Sequence, residues 1–109
     1  MTGVQTCALP IFFTREVTEL LSDDEYRGLQ LALLFRPEQG PLIPSSGGLR
    51  KLRWKRSGGG KRGGLRVIYF WDKEGDTVYM LLLYPKSEQE DLTPTQLRVL
   101  SKLVREELK

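Results

Sequence analysis

The 109-residue sequence contains no histidine and a single cysteine, Cys7. Without histidine, the side chain that most often moves protons near neutrality, acid–base chemistry would fall to Lys, Arg, Tyr, Asp or Glu. One thiol cannot close an internal disulfide, and no residue spacing suggests a zinc or iron–sulfur site. Neither a metal nor another cofactor is therefore expected. No apolar run approaches the roughly 20 residues of a membrane-spanning helix, so no membrane partner is expected either. What remains, 39% hydrophobic and 28% charged residues, is the composition of a globular chain, long enough for one core.

Acidic residues are missing from one place in particular. Residues 49–71, LRKLRWKRSGGGKRGGLRVIYFW, hold eight Lys or Arg and five Gly without an Asp or Glu. The rest of the chain has nine basic and fourteen acidic residues, a local net of −5 against an overall +3. Such crowding is either solvated surface charge or a field that attracts a polyanion such as RNA or DNA, or an acidic protein segment. The glycines lack the Walker spacing and no helix pattern follows them, so they read as a flexible hairpin connection rather than a nucleotide loop.

The periodicities give an order of elements. Thr14 caps a short helix, REVTELL, and Ser22 with Glu25 forms a capping box for DDEYRGLQLALLF, whose apolar side is Tyr26, Leu29, Leu33 and Leu34. That helix should stop near Arg36, before Pro37. PEQGPLIPSSGG is expected to be an ordered connection. In the strand that follows, Leu49, Lys51, Arg53 and Lys55 share one parity, and Leu52 and Trp54 share the other with Arg50 and Arg56. LRVIYFW and TVYMLLLY are two further strands, joined by the tight turn DKEGD. Thr93, Pro94 and Gln96 start a last helix with Leu97, Leu100, Leu103, Val104 and Leu108 on its apolar face. The expected fold is α+β: a small antiparallel sheet with two N-terminal helices and one C-terminal helix packed on it.

The opening MTGVQTCALPI resembles the translated read of a sequencing adapter. Residues 1–9 are accordingly expected to be a non-native segment that replaced a natural first strand, leaving an exposed sheet edge, and residues 10–109 a single domain. Cys7 then carries no functional weight.

The stretches SDDEYRGLQ, GGLRKLRW, KRGGLRVIYFW and YMLLLYPKSEQEDLTPTQLRVLSKLV resemble the HigB branch of the RelE-like toxins of bacterial type II toxin–antitoxin modules. The resemblance covers residues from about 10 to 109. It implies a cytoplasmic, metal-independent endoribonuclease that cleaves mRNA in the ribosomal A site, and a helix-turn-helix antitoxin as partner. By motif, Arg66 of LRVIY matches the phosphate-stabilising arginine of that branch. Tyr84 and Lys86 match the aromatic–x–Lys after the last strand, and Lys51 and Arg53 the basic pair before the glycine-rich loop. Lys86 or Lys51 would act as base, Arg66 and Arg53 would stabilise the phosphorane, and Tyr84, whose ring can reach the sheet rim, would stack a base or bond near the phosphate. Arg50, Lys55, Arg56, Lys61 and Arg62 are expected to bind RNA. From the residues alone, a non-catalytic RNA- or DNA-binding module and a domain that meets an acidic protein stay open.

Overall fold

Two reciprocal capping boxes start the main helices of the computed structural model, which describes residues 5–8, 19–55 and 64–108. Ser22 Oγ accepts from Glu25 N at 3.2 Å, and Glu25 Oε1 accepts from Ser22 N at 3.0 Å. Helix α1 (Asp23–Phe35) therefore begins with two of its orphan donors satisfied and with three acids at the positive end of its dipole. It ends just before Arg36 and Pro37, where the proline disfavours helix. Thr93 and Gln96 repeat the arrangement for α2 (Pro94–Leu103), with bonds of 3.1 and 3.0 Å. The chain continues into a wider, π-type turn at Val104–Leu108. Of the expected REVTELL helix, Glu19 and Leu20 are helical and Leu21 follows them, while residues 15–18 lie outside the described residues.

Four strands pair in the order β1-β4-β3-β2: β1 (Gln5–Ala8), β2 (Leu49–Lys55), β3 (Gly64–Asp72) and β4 (Thr77–Pro85). The β2–β3 and β3–β4 pairs are antiparallel, whereas β1 runs parallel to β4. This corrects the expected sheet, which was wholly antiparallel and had lost its first strand. The outer edge of β4 offers unpaired backbone groups, and Gln5–Ala8 takes them up from Thr77 to Met80. A strand of four residues made by edge pairing needs no alternating pattern of its own, so no periodicity marks it in advance. Among the described residues, no helix is long and apolar enough to cross a membrane.

The helices cover opposite faces of this sheet. On one face Leu65, Val67 and Tyr69 of β3 pack with Leu52, Met80, Leu83 and, from α1, Leu29 and Leu33. On the other, Ile68 and Phe70 pack with Leu49, Leu81, Tyr84 and, from the C-terminal helix, Leu100 and Val104. Leu29 and Leu33 are fully buried, worth roughly 1.5–3 kcal/mol each, which outweighs the few tenths contributed by dipole contacts in fixing how α1 lies.

A β-bulge resets the phase of β4. Ile68 opposes Leu82 but Tyr69 opposes Met80, so Leu81 has no opposite residue. Met80 belongs to the α1 face, and strict alternation from it would place Leu82 and Tyr84 there too. The extra residue sends both to the α2 face instead.

The candidate site on the α2 face

Because of that bulge, three expected site residues form one row across the sheet. Arg66 stands opposite Arg53 on β2 and opposite Tyr84 on β4. Directly opposed residues of antiparallel strands share a face, so both guanidiniums and the phenol belong to the same side. Two adjacent arginines repel, and the arrangement calls for an anion.

The protein supplies one from the loop between β4 and α2. Glu90 Oε2 accepts from Arg66 Nη2 at 2.8 Å and from Arg66 Nε at 3.1 Å. Its neighbour Asp91 accepts from Lys51 Nζ. The Arg66 side chain is only 5% exposed, against 53% for Glu90 and 72% for Asp91, so a buried cation and exposed carboxylates meet at the edge of the site. The bond from Arg66, reinforced by its charge and by Lys86 and Lys51, holds the Glu90 carboxyl below its ordinary range. Asp91 is lowered by the Lys51 bond and charge, then by Arg66 and Arg53. The surroundings of these two carboxylates thus contain Lys51, Arg53, Arg66 and Lys86 together.

Tyr84 closes the group from beneath. Its ring is buried in the α2-side core, and its hydroxyl donates to the Glu90 carbonyl at 3.4 Å. Burial above all, with the charge of Asp91, raises its pKa above the ordinary 10.0, so at neutral pH it is a donor and not a base. A ring in this position does not lie at the sheet rim, where stacking on an RNA base was expected. Lys86 is exposed, and its backbone N–H donates to Gly64 O at 3.0 Å, which fixes it where β3 begins.

The remaining expected RNA contacts divide. Lys55 is exposed and continues the Lys51–Arg53 side of β2, opposite Gly64. Arg50 belongs to the other face, opposite Tyr69, and its Nη1 donates to the backbone carbonyls of Glu38 (3.0 Å) and Gly40 (2.8 Å). Arg56, Lys61 and Arg62 lie outside the described residues. Sequence reasoning passed over Glu90 and Asp91. Their signal was the acidic EQED that follows Tyr84–Lys86 after Ser87, in a chain whose basic stretch lacks acids of its own.

Beside the Lys51–Asp91 pair lies a concavity of about 400 Å³, walled by Pro41, Leu42, Ile43, Pro44, Leu92 and Leu97. It is apolar inside and charged at one side. The family model described as the RelE toxin of the RelE/RelB toxin–antitoxin system matches residues 40–109, well over half of the chain. The chain belongs to the RelE toxin family. The matched region spans β2, β3, β4 and α2, and so contains every residue of the basic row as well as Glu90 and Asp91. The fold agrees with this membership. The E. coli toxin RelE, solved in the free state as a doubly substituted mutant, superposes with a TM-score of 0.60 over 82% of this chain and 90% of its own. The two are 14% identical, so the RelE fold is shared across widely different sequences.

Proposed function

We propose that this RelE-family chain is the toxin of a type II module of the HigB branch, an endoribonuclease that cuts mRNA in the ribosomal A site without a metal ion. The Arg53–Arg66–Tyr84 row, with Lys51 and Lys86 beside it, carries the reading, because it gathers donors and positive charge at one end of the sheet. Toxins of this family are ribosome-dependent endoribonucleases in general, which supports the same assignment. In this reading the RNA 2′-hydroxyl attacks the adjacent phosphorus, the bond to the 5′ oxygen breaks, and a 2′,3′-cyclic phosphate and a 5′-hydroxyl result. Arg66 and Arg53 offset the charge that develops on the phosphorane oxygens. Lys86 or Lys51, as the neutral amine, takes the proton of the 2′-hydroxyl, and the ammonium so formed returns a proton to the departing 5′ oxygen. Lys86 is the better placed, since Lys51 spends a donor on Asp91. The Tyr84 hydroxyl contributes a hydrogen bond, and the apolar concavity beside Lys51 suits a nucleobase. Orientation by the ribosome supplies much of the rate in a site that has no histidine.

A cognate helix-turn-helix antitoxin is the partner that this branch implies. On the same reading residues 10–109 are the toxin domain, and residues 1–9 a non-native segment whose Gln5–Ala8 stretch fills the place of the first strand.

The test is cleavage of mRNA on purified, programmed ribosomes. Arg66→Ala should lower the rate by about 10²–10³-fold, the usual loss when a donor to a developing oxyanion is removed. Circular dichroism would confirm that the variant is folded. Undiminished cleavage would remove Arg66 from the reaction, and RNA binding without cleavage by the unsubstituted chain would favour a non-catalytic binding module.

A further inference from the structure

Glu90 and Asp91 are consecutive residues of one loop, and they meet two of the cations assigned to phosphate, Arg66 and Lys51. We propose that these two carboxylates are resident stand-ins for RNA phosphate, which an incoming strand must displace, so that they hold down the affinity of the site for RNA. The inference rests on the functional reading above and adds an affinity-setting role for two residues outside the assigned catalytic set.

The argument begins with burial. A guanidinium as enclosed as that of Arg66 needs an anion at all times, because an uncompensated charge away from water is costly. Glu90 meets that need in the free protein with a single oxygen, Oε2, which accepts from both Nε and Nη2, and a phosphate oxygen can accept from the same two donors. Yet both carboxylates face solvent, so water and dissolved ions reach the anion side of each pair even though the cation side is enclosed. The cation is therefore fixed while its anion is exchangeable. Any RNA must displace both carboxylates before its phosphate reaches these cations, so the loop lowers affinity by the free energy of that exchange. RNA already oriented by the ribosome has its ordering cost met in advance and can bear this exchange where a weakly bound free strand does not accumulate.

The experiment uses the full chain and a short 2′-O-methyl RNA oligonucleotide, which binds but has no 2′-hydroxyl to react. The double variant Glu90→Gln/Asp91→Asn keeps the side-chain shapes and removes both charges. It should bind this probe about three- to tenfold more tightly than the unsubstituted chain. Glu88 lies on the same loop and forms no ion pair among the described residues, so Glu88→Gln controls for a general change of charge. Its effect should stay below about twofold. Equal gains in the two variants overturn the proposal, as does no gain or weaker binding in the double variant. If the double variant melts early, Glu90→Asp gives the same readout, since it keeps the charge but shortens the reach to Arg66. Tighter binding there supports the stand-in role and unchanged binding overturns it. Cleavage on programmed ribosomes is followed separately: its absence in the unsubstituted chain refutes the enzymatic reading, whereas the affinity comparison judges the carboxylates.

Discussion

The two faces of the sheet are built by the same strands, yet they treat their polar groups differently. On the α1 face, Arg50 ends on the carbonyls of Glu38 and Gly40. Tyr69 of that face donates to Pro37 O at 2.7 Å and accepts from Gly40 N at 2.9 Å. A Cβ on Gly40 would stand 2.9 Å from the Tyr69 hydroxyl and 3.2 Å from the Lys51 backbone, so this contact also requires a glycine. All these partners belong to the main chain, which does not swing away. On the α2 face, Arg66 and Lys51 end on exposed side-chain carboxylates. A cation tied to the backbone acts as a fastener for the 37–41 segment, and one tied to an exposed carboxylate can change partners. Lys51 and Arg50 are neighbours in sequence, and strand parity alone sends them to these two roles.

The hardest test of that division is to remove the residue that phases it. Deleting Leu81 should abolish the bulge and leave regular alternation from Met80, with Leu82 still opposite Ile68 and Tyr84 still opposite Arg66, while a fully buried side chain beneath α2 is lost. A cost of about 2–5 kcal/mol in urea unfolding is expected, with cleavage per folded molecule retained in the ribosome assay. Native stability would show that Leu81 fills no needed space in the core, and lost cleavage in the folded variant would show that the bulge itself shapes the Arg53–Arg66–Tyr84 row.

A smaller change separates the faces without moving any strand. Tyr69→Phe leaves the buried ring in place but strands Gly40 N–H and Pro37 C=O, at an expected cost of about 1–3 kcal/mol in urea unfolding. Cleavage per folded molecule should not change, because the α2 face keeps all its groups. A loss of activity matching the loss of Arg66 would mean that the two faces are coupled.

How far the sequence disclosed this arrangement depended on the range of each interaction. Both capping boxes span three residues and could be read directly, as could the apolar sides of the two helices and the extents of β2, β3 and β4. Strand parity also separated Arg50 from Lys51 and Arg53. The bulge was hidden because Leu81, Leu82 and Leu83 are identical, so no pattern marks which of them is extra. The ion pairs were hidden by distance along the chain: Arg66 and Glu90 are 24 residues apart, and Lys51 and Asp91 are 40 apart. Only the folded sheet brings the acidic loop over the basic row. The buried ring of Tyr84 was missed for a related reason, since α2 covers a strand end that looks like a free rim in sequence.

Acid titration gives the smallest effect and bears on whether the α2-face pairs persist in solution. Both carboxyls have folded pKa values below their ordinary ones, Glu90 mainly through its bond from Arg66 and Asp91 mainly through its bond from Lys51. A depressed carboxyl contributes stability that is complete above the unfolded value and is lost as pH falls through the folded one. The stability difference between the unsubstituted chain and Glu90→Gln/Asp91→Asn should therefore stay level from neutrality to about pH 5 and shrink below about pH 4. Urea melts at stepped pH measure it, and the subtraction removes the titration of the other acids. Probe RNA affinity should converge over the same acid range, as protonation frees Arg66 and Lys51 in the unsubstituted chain. Among the described residues, Tyr69 and Arg50 form no hydrogen bond or ion pair with a side-chain carboxylate, so Tyr69→Phe should show no such step. A difference that instead grew on acidification would require raised carboxyl pKa values, which pairing with two cations cannot produce.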